Sequence, residues 1–336
     1  MKILITGGSG FIGSNFIKYW FKNHPEDSII NLDKMTYAAN PRNLVEFENS
    51  PNYKFVKGDI LDEKIVDELV SQVDTIVHFA AESHVDRSID DPSLFVRTNV
   101  LGTYNLLMAA KKYQIKRFHH ISTDEVFGTI ELDSTDQFNE NTPYDPSSPY
   151  SASKASSDHL VRSFFKTFGL PVTISNCSNN YGPYQHPEKM IPRSITSLLS
   201  GGKIKVYGQG LNFRDWLHVE DHCRAIEAIL LKGTIGETYC IGGLKKGTNN
   251  MELVRLLLKL MNKGEESLEY VADRPAHDNY AVNWDKINKE LGWEPQYDLE
   301  SGMKQTVDWY TANQTWWQET KKEAEEFYFK LNSLKK

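Results

Sequence analysis

The sequence predicts an α/β protein: a doubly wound parallel sheet carrying a smaller α/β cap built from its C-terminal half. Three observations point there. Over the first 176 residues, short apolar runs alternate with stretches of helical periodicity, the pattern of βαβ units. The first run opens directly onto a glycine-rich turn, Thr6-Gly7-Gly8-Ser9-Gly10-Phe11-Ile12-Gly13. Beyond Cys177 the segments shorten and Gly, Pro and Asn accumulate, as in Asn179-Asn180-Tyr181-Gly182-Pro183, Gly201-Gly202 and Gly208-Gln209-Gly210. Such segments cover the carboxyl edge of a sheet with loops and small elements.

In order, Met1 to Thr6 reads as a buried parallel strand, because it is apolar on both faces. Phe11 to Phe21 has helical spacing. Ser28 to Asp33 and Tyr53 to Gly58 are the next strands, and Val73 to Ala80 is apolar except at Asp74, Thr75 and His78. Val100 to Tyr113 reads as a helix, Arg117 to Ser122 as a strand, Tyr150 to Phe168 as a long helix and Val172 to Asn176 as a strand. In the cap, Leu253 to Met261, Met303 to Tyr310 and the tail from Gln318 are helical. The expected division is residues 1–176, with roughly 204–242 returning to the sheet, and a cap of 177–203 and 243–336.

The chain of 336 residues, 40% hydrophobic and 25% charged, is ordinary for a globular protein. Its net charge of −7 argues against nucleic-acid or anionic-membrane partners, while leaving room for a local basic pocket. Cys177, Cys223 and Cys240 have no CxxC spacing, so buried free thiols and no metal site are expected. No apolar run reaches membrane-spanning length. A strand followed at once by glycines leaves no space for a signal peptide, and the cytoplasm is the expected location.

The glycine turn follows a strand and opens a helix. Its glycines permit a tight turn, close approach of the backbone to a pyrophosphate and helix-on-strand packing. Asp33, twenty residues beyond Gly13 at a strand end, can accept from ribose hydroxyls and would repel a 2′-phosphate. A Rossmann-type NAD site is therefore expected, with NAD favoured over NADP. Lys34 pulls the other way, as a cation able to pair with a 2′-phosphate, but Asp33 sits nearer the strand end. Asp59, after the third strand, can cap a turn or bond an adenine amino group. Ala80-Ala81-Glu82-Ser83 ends the fourth strand in small residues that admit a cofactor, and Ser83 and His84 face the crevice.

Tyr150 and Lys154 stand at i, i+4 on one helix face. An ammonium and a positive nicotinamide would both favour phenolate, lowering a phenol that normally titrates near ~10. Such a tyrosine can take a hydroxyl proton while hydride leaves the same carbon. Thr123, at a strand end, can bond the same hydroxyl. Asp124 and Glu125 follow at the carboxyl end of that strand, where ligands of such sheets bind. Adjacent carboxylates push their pKa values apart, giving one acid and one base. Oxidation followed by elimination of water is the chemistry these residues fit.

With these residues placed, the chain resembles the extended short-chain dehydrogenase/reductases, and among them the nucleotide-sugar 4,6-dehydratases. The resemblance runs nearly end to end, through Thr6–Gly13, AAESHVDRS at 80–88, STDEVFG at 122–128, YSASKASSD at 150–158, NCSNNYGPYQHPEKMIP at 176–192, RDWLHVEDH at 214–222 and DRPAHDNYA at 273–281. It implies NAD at Gly7, Gly10, Phe11, Ile12, Gly13, Asp33, Lys34, Thr36, Asp59, Ile60, Ala80, Ala81, Ser83, Thr98, Tyr150, Lys154 and Asn180. It implies Tyr150 as base at the sugar C4 hydroxyl with Lys154 and Thr123 in support, Glu125 as base at C5 and Asp124 as acid at the C6 hydroxyl. A nucleotide-diphosphate sugar is implied at His84, Thr123, Asn179, Lys189, Arg214, Asn250, Arg274, His277 and Tyr280. The expected substrate is dTDP-glucose, with UDP-glucose or UDP-N-acetylglucosamine as the alternative. A homodimer is implied, paired through the helices Thr98–Tyr113 and Tyr150–Phe168, with Leu101, Leu106, Leu107, Val161, Phe164 and Phe165 as apolar candidates for the interface or, for many of them, the core instead.

The chain departs from the family pattern in four places. Phe127 stands where Tyr is usual and Ala276 where Gly is usual. There is one residue fewer before Tyr280 and one more before Asn250. A 4-epimerase would share the Tyr/Lys pair without needing Asp124 and Glu125. A related decarboxylase would keep a Glu at 125 and lack the acid at 124. A catalytically silent NAD-binding regulator would be expected to have lost Tyr150 or Lys154.

Overall fold

The computed structural model describes residues 1–132, 134–244, 247–272 and 279–334. Its strands are β1 (Lys2–Thr6), β2 (Ser28–Asp33), β3 (Tyr53–Lys57), β4 (Thr75–His78), β5 (Arg117–Thr123), β6 (Val172–Cys177), β7 (Asn179–Tyr181), β8 (Ile204–Tyr207), β9 (Phe213–Arg214), β10 (Trp216–His218), β11 (Thr238–Ile241), β12 (Thr248–Asn249) and β13 (Leu268–Val271). Seven of them form a parallel sheet in the order β11-β6-β5-β4-β1-β2-β3.

β4 and β6 are buried at every residue, as central strands covered on both faces must be. β11, at one edge, is also buried throughout, whereas β3, at the other edge, exposes Lys54, Phe55 and Lys57. Side chains of β1 alternate between two cores. Leu4 joins Ile76, Phe118, Leu106, Leu107, Val161 and Phe164 on one face. Ile3 and Ile5 join Phe16, Ile17, Trp20, Val219, Cys223 and Ile226 on the other. The helices Glu63–Val70, Thr103–Lys112 and Pro149–Phe168 cover the first face, and Phe11–Asn23 and Val219–Lys232 the second.

The helix read from Val100 begins earlier, as a π-helical stretch over Val96–Gly102 that runs on into Thr103–Lys112. The extra residue in a π turn rotates everything after it, and this changes the apolar residues expected at an interface. Leu106, Leu107, Val161 and Phe164 are core, and Phe165 packs partly buried against them. Leu101 is exposed, together with Val96, Tyr104, Met108 and Phe168.

The Val219–Lys232 helix is absent from the periodicity reading because Asp221 and His222, both polar, occupy fully buried positions. Asp221 is satisfied there by the backbone N–H groups of Gln296 and Tyr297 at 3.1 and 3.0 Å. The expected return of 204–242 to the sheet is met only in its later part, through this helix and β11. β8 instead pairs with β13 in a two-stranded sheet of its own, because Ile204, Val206 and Leu268 are apolar on the side facing the Met190–Leu199 and Asn250–Leu260 helices. That third core also takes in Met303, Val307, Tyr310, Trp316 and Trp317. Among the described residues no helix is long and apolar enough to cross a membrane.

Candidate active site

Gly7 adopts φ +71°, and a Cβ there would lie 2.7 Å from the Ala80 nitrogen; at Gly13 a Cβ would lie 2.4 Å from the Gly7 carbonyl. A side chain at Gly7 would force the turn off the segment that follows β4, and one at Gly13 would force the helix off the turn. The Phe11–Asn23 helix starts at Gly10 with no side-chain cap, so its first-turn N–H groups remain available to an anion. Asp33 accepts from Ser9 N at 2.9 Å and from Met35 N at 2.8 Å. Burial pushes its carboxyl up and these two bonds hold it down. Asp59 caps a turn through Leu61 N at 3.0 Å, and its other oxygen pairs with Lys34 at 2.8 Å. The Lys34 charge is thus balanced within the protein, which favours Asp33 in setting dinucleotide preference.

A cavity of about 310 Å³ lies along the carboxyl ends of the sheet strands, and every residue expected to meet NAD lines it. The residues fit that group, since the glycine cradle is one a Cβ would fill and the acid stands at the end of β2. A second cavity of about 510 Å³ adjoins it beneath the cap and is lined by His84, Asn179, Lys189, Arg214, Asn250 and Tyr280. Ser83, Glu125, Asn179, Asn180 and Lys189 line both. Thr123 lines the smaller cavity. Arg274 and His277 lie outside the described residues. Asn179 Nδ2, Asn250 Oδ1 and Trp216 Nε1 are buried without a hydrogen-bond partner among the described residues, a costly state in a site that never receives a polar ligand. Arg214 lies 4.7 Å from the Tyr280 ring centre.

The residues expected to react line the smaller cavity together, and Glu125 among them also lines the larger one. β5 ends at Thr123, whose hydroxyl accepts from Glu125 N at 3.2 Å and donates to Asp124 Oδ1 at 3.3 Å, turning the chain into the short Asp124–Phe127 helix. Asp124 is 1% exposed, and its Oδ2 has no partner among the described residues. Burial first, then the Glu125 and Asp215 charges, push its carboxyl well above the usual range, which favours the protonated acid. Asp215 is itself pushed up to about 7 by burial, against bonds from Gly243 N and Leu244 N.

Ser148 caps the next helix in a capping box with Ser151, and Pro149 takes its first position, so Tyr150 and Lys154 leave it one turn apart on one face. Lys154 Nζ donates to Ile121 O at 2.7 Å and lies 3.4 Å from His120 Nε2. His120 Nε2 is 3.3 Å from Asp158 Oδ1, and Asp158 Oδ2 accepts from Ser122 Oγ at 2.9 Å and Tyr144 OH at 2.8 Å. Burial pulls Lys154 down to about 8 against the Asp158 charge. Tyr150 departs from expectation: its phenol is raised well above 10.0, by burial first and then the Glu125 charge, with a Thr123 hydrogen bond acting the other way. The protein alone does not lower it, because burial outweighs that hydrogen bond.

Residues 4–306 match the family described as GDP-mannose 4,6 dehydratase. The chain belongs to this family. A dTDP-glucose 4,6-dehydratase of Mycobacterium tuberculosis is 47% identical over 330 residues, covering 98% of each chain. The crystal structure of the Bacillus anthracis dTDP-glucose 4,6-dehydratase in complex with NAD superposes with a TM-score of 0.89 at 45% identity, covering 95% of this chain and 99% of that one. The Streptomyces venezuelae dTDP-glucose 4,6-dehydratase, with NAD and a second ligand bound, gives 0.91 at 46% identity, covering 95% and 100%.

In this dehydratase, several residues of the site carry no signal that the sequence reading used. Asp158 completes an i, i+4, i+8 row with Tyr150 and Lys154, so helical spacing alone could have found it. Asn99 binds Glu82 N at 2.9 Å, Glu82 O at 3.0 Å and Ser153 Oγ at 2.8 Å, tying the end of β4 to the catalytic helix. Asp215 is brought to Asp124 only by tertiary packing.

A carboxyl whose folded pKa exceeds its unfolded value binds more protons folded than unfolded, so stability falls as pH rises from about 4 through the folded pKa. Asp124→Asn removes that loss. The variant should match wild type in urea unfolding near pH 4 and exceed it at about pH 7 and above. Lower stability than wild type at neutral pH would contradict the raised pKa.

Proposed function

We propose that this dehydratase converts dTDP-glucose to dTDP-4-keto-6-deoxyglucose in the cytoplasm. The observation that carries the proposal is the buried carboxyl of Asp124, whose Oδ2 has no partner among the described residues and which lines the dinucleotide cavity with Tyr150 and Glu125. An epimerase has no use for a neutral carboxylic acid there. Residues 1–176, with the Val219–Lys232 helix and β11, serve chiefly the cofactor, and the cap of 177–203 and 243–336, with 204–218, serves chiefly the nucleotide sugar.

Tyr150 takes the proton of the C4 hydroxyl, with Thr123 bonding the same oxygen and Lys154 fixing the local charge. Bound NAD supplies the hydride acceptor for C4, the hydride donor for C6 and a positive ring beside the Tyr150 phenol. The resulting ketone makes the C5 proton acidic, and Glu125 removes it. Asp124 gives its proton to the C6 hydroxyl, which leaves as water. Glu125 then returns its proton to C5, and the net change is loss of one water with no change in the cofactor. Lys189 and Arg214 suit the diphosphate by charge and geometry, with Asn179, Asn250, Tyr280 and His84 around the nucleotide and sugar. A panel of dTDP- and UDP-sugars, scored for 4-keto product, tests the substrate.

Asp124→Asn keeps shape but cannot supply the proton, and loss of an acid typically costs ~10²–10⁴-fold. In a single turnover it should oxidise C4, seen as absorbance of reduced cofactor, and stall before water is lost, seen by mass analysis of the sugar. Tyr150→Phe should block oxidation itself. Dehydration by Asp124→Asn at the wild-type rate would show that another group is the acid.

The proposed assembly is a homodimer through the exposed apolar strip of Val96, Leu101, Tyr104, Met108 and Phe168. Contiguous apolar residues on two neighbouring helices support it. Light scattering should give twice 38.5 kDa, and Met108→Glu with Leu101→Glu should give the monomer mass. A wild-type mass of 38.5 kDa at micromolar concentration would contradict it.

A further inference from the structure

The C-terminal helix Gln314–Leu334 reaches back to the glycine turn through a buried bond. Trp316 Nε1 donates to Asn43 Oδ1 at 2.8 Å. Asn43 Nδ2 in turn donates to the Ser9 carbonyl at 3.0 Å, which also accepts from Asn40 N at 3.1 Å. The following Gly10 N donates to Gly7 O at 3.2 Å. The Ser9–Gly10 peptide is planar and trans, so gripping its oxygen from one side and its N–H from the other sets its orientation. That peptide leads into the first turn of the Phe11–Asn23 helix, whose N–H groups border the dinucleotide cavity. Trp316 is seated among aromatic rings, 5.0 Å from Trp309 and 5.8 Å from Tyr184. Arg42, beside Asn43, donates to Thr315 O at 2.9 Å, so the contact is made at two adjacent residues on each side.

We infer that Trp316 and Asn43 are positioning residues for the dinucleotide, through which the C-terminal helix holds the phosphate-binding turn in its binding geometry. The inference rests on the NAD reading above. A cofactor that is reduced and reoxidised within one turnover must stay bound between the two steps, and a turn held by a distant helix resists opening while the cofactor is inside.

Trp316→Phe keeps an aromatic ring in the cluster but removes the indole N–H, leaving Asn43 Oδ1 buried without that donor, a loss that translates into roughly tenfold weaker binding or more. Asn43→Asp keeps shape and the acceptor for Trp316 but removes the donor to Ser9 O. Trp317→Phe is the control, since its indole N–H donates to Tyr310 O at 2.8 Å within the cap. The measurements are NAD content after dialysis, Kd for NAD added to stripped protein, and KM for NAD against kcat. Both Trp316→Phe and Asn43→Asp should lose NAD on dialysis and show raised Kd and KM for NAD with kcat little changed, while Trp317→Phe retains NAD as wild type does. A wild type that binds NAD beside a Trp316→Phe variant with the same Kd overturns the inference alone. A wild type that binds no NAD overturns the functional reading with it.

Discussion

Burying Asp124 more deeply than its one cationic neighbour can offset is the constraint on which the rest of the site depends. A carboxyl taken out of water shifts toward its neutral form, and here Glu125 and Asp215 add to that shift while the Arg214 charge opposes it without reversing it. A neutral carboxyl is useful only if it stays put, because a mobile one would turn to solvent and ionise. β5 fixes it, since that strand pairs with β4 as far as His120 and with β6 as far as Thr123. The Thr123 hydroxyl then turns the chain so that Asp124 enters the protein and Glu125 faces the junction of the cavities.

The opposite problem arises at Lys154, a cation buried along the same cavity. Its solution differs: Asp158 keeps its carboxyl below the usual range, held there by His120, Lys154 and Ser122, and supplies the compensating charge. One site thus contains a carboxyl pushed toward its neutral form by burial and carboxylate neighbours and another kept ionised by partners. Both rest on the same two elements, β5 and the Pro149–Phe168 helix. Parallel strands bring these groups together because all their carboxyl ends lie along one edge, and the cap closes over that edge with its own apolar core.

What was legible in the sequence was whatever short spacing determines. The glycine turn, Asp33, the Thr123-Asp124-Glu125 triplet and the Tyr150/Lys154 pair each lie within a few residues or at a strand end. Less legible were features set by rotation and packing. The π turn at Val96–Gly102 shifts the helix phase, so Leu106 and Leu107 turn inward and Tyr104 and Met108 outward. β8 carries an ordinary strand pattern that says nothing of which strand it joins. The direction of the Tyr150 shift depends on how deeply the phenol is buried, which spacing along a helix does not encode.

The central claim is that oxidation at C4 and reduction at C6 are two halves of one turnover inside a closed site. It is tested most directly by dTDP-glucose carrying deuterium at C4, mixed with unlabelled substrate that carries carbon-13 in its ring. The account predicts deuterium at C6 of the product, only in molecules lacking carbon-13, with none in solvent. Deuterium exchanged into the carbon-13 product, released with free reduced cofactor or retained at C4 would contradict it.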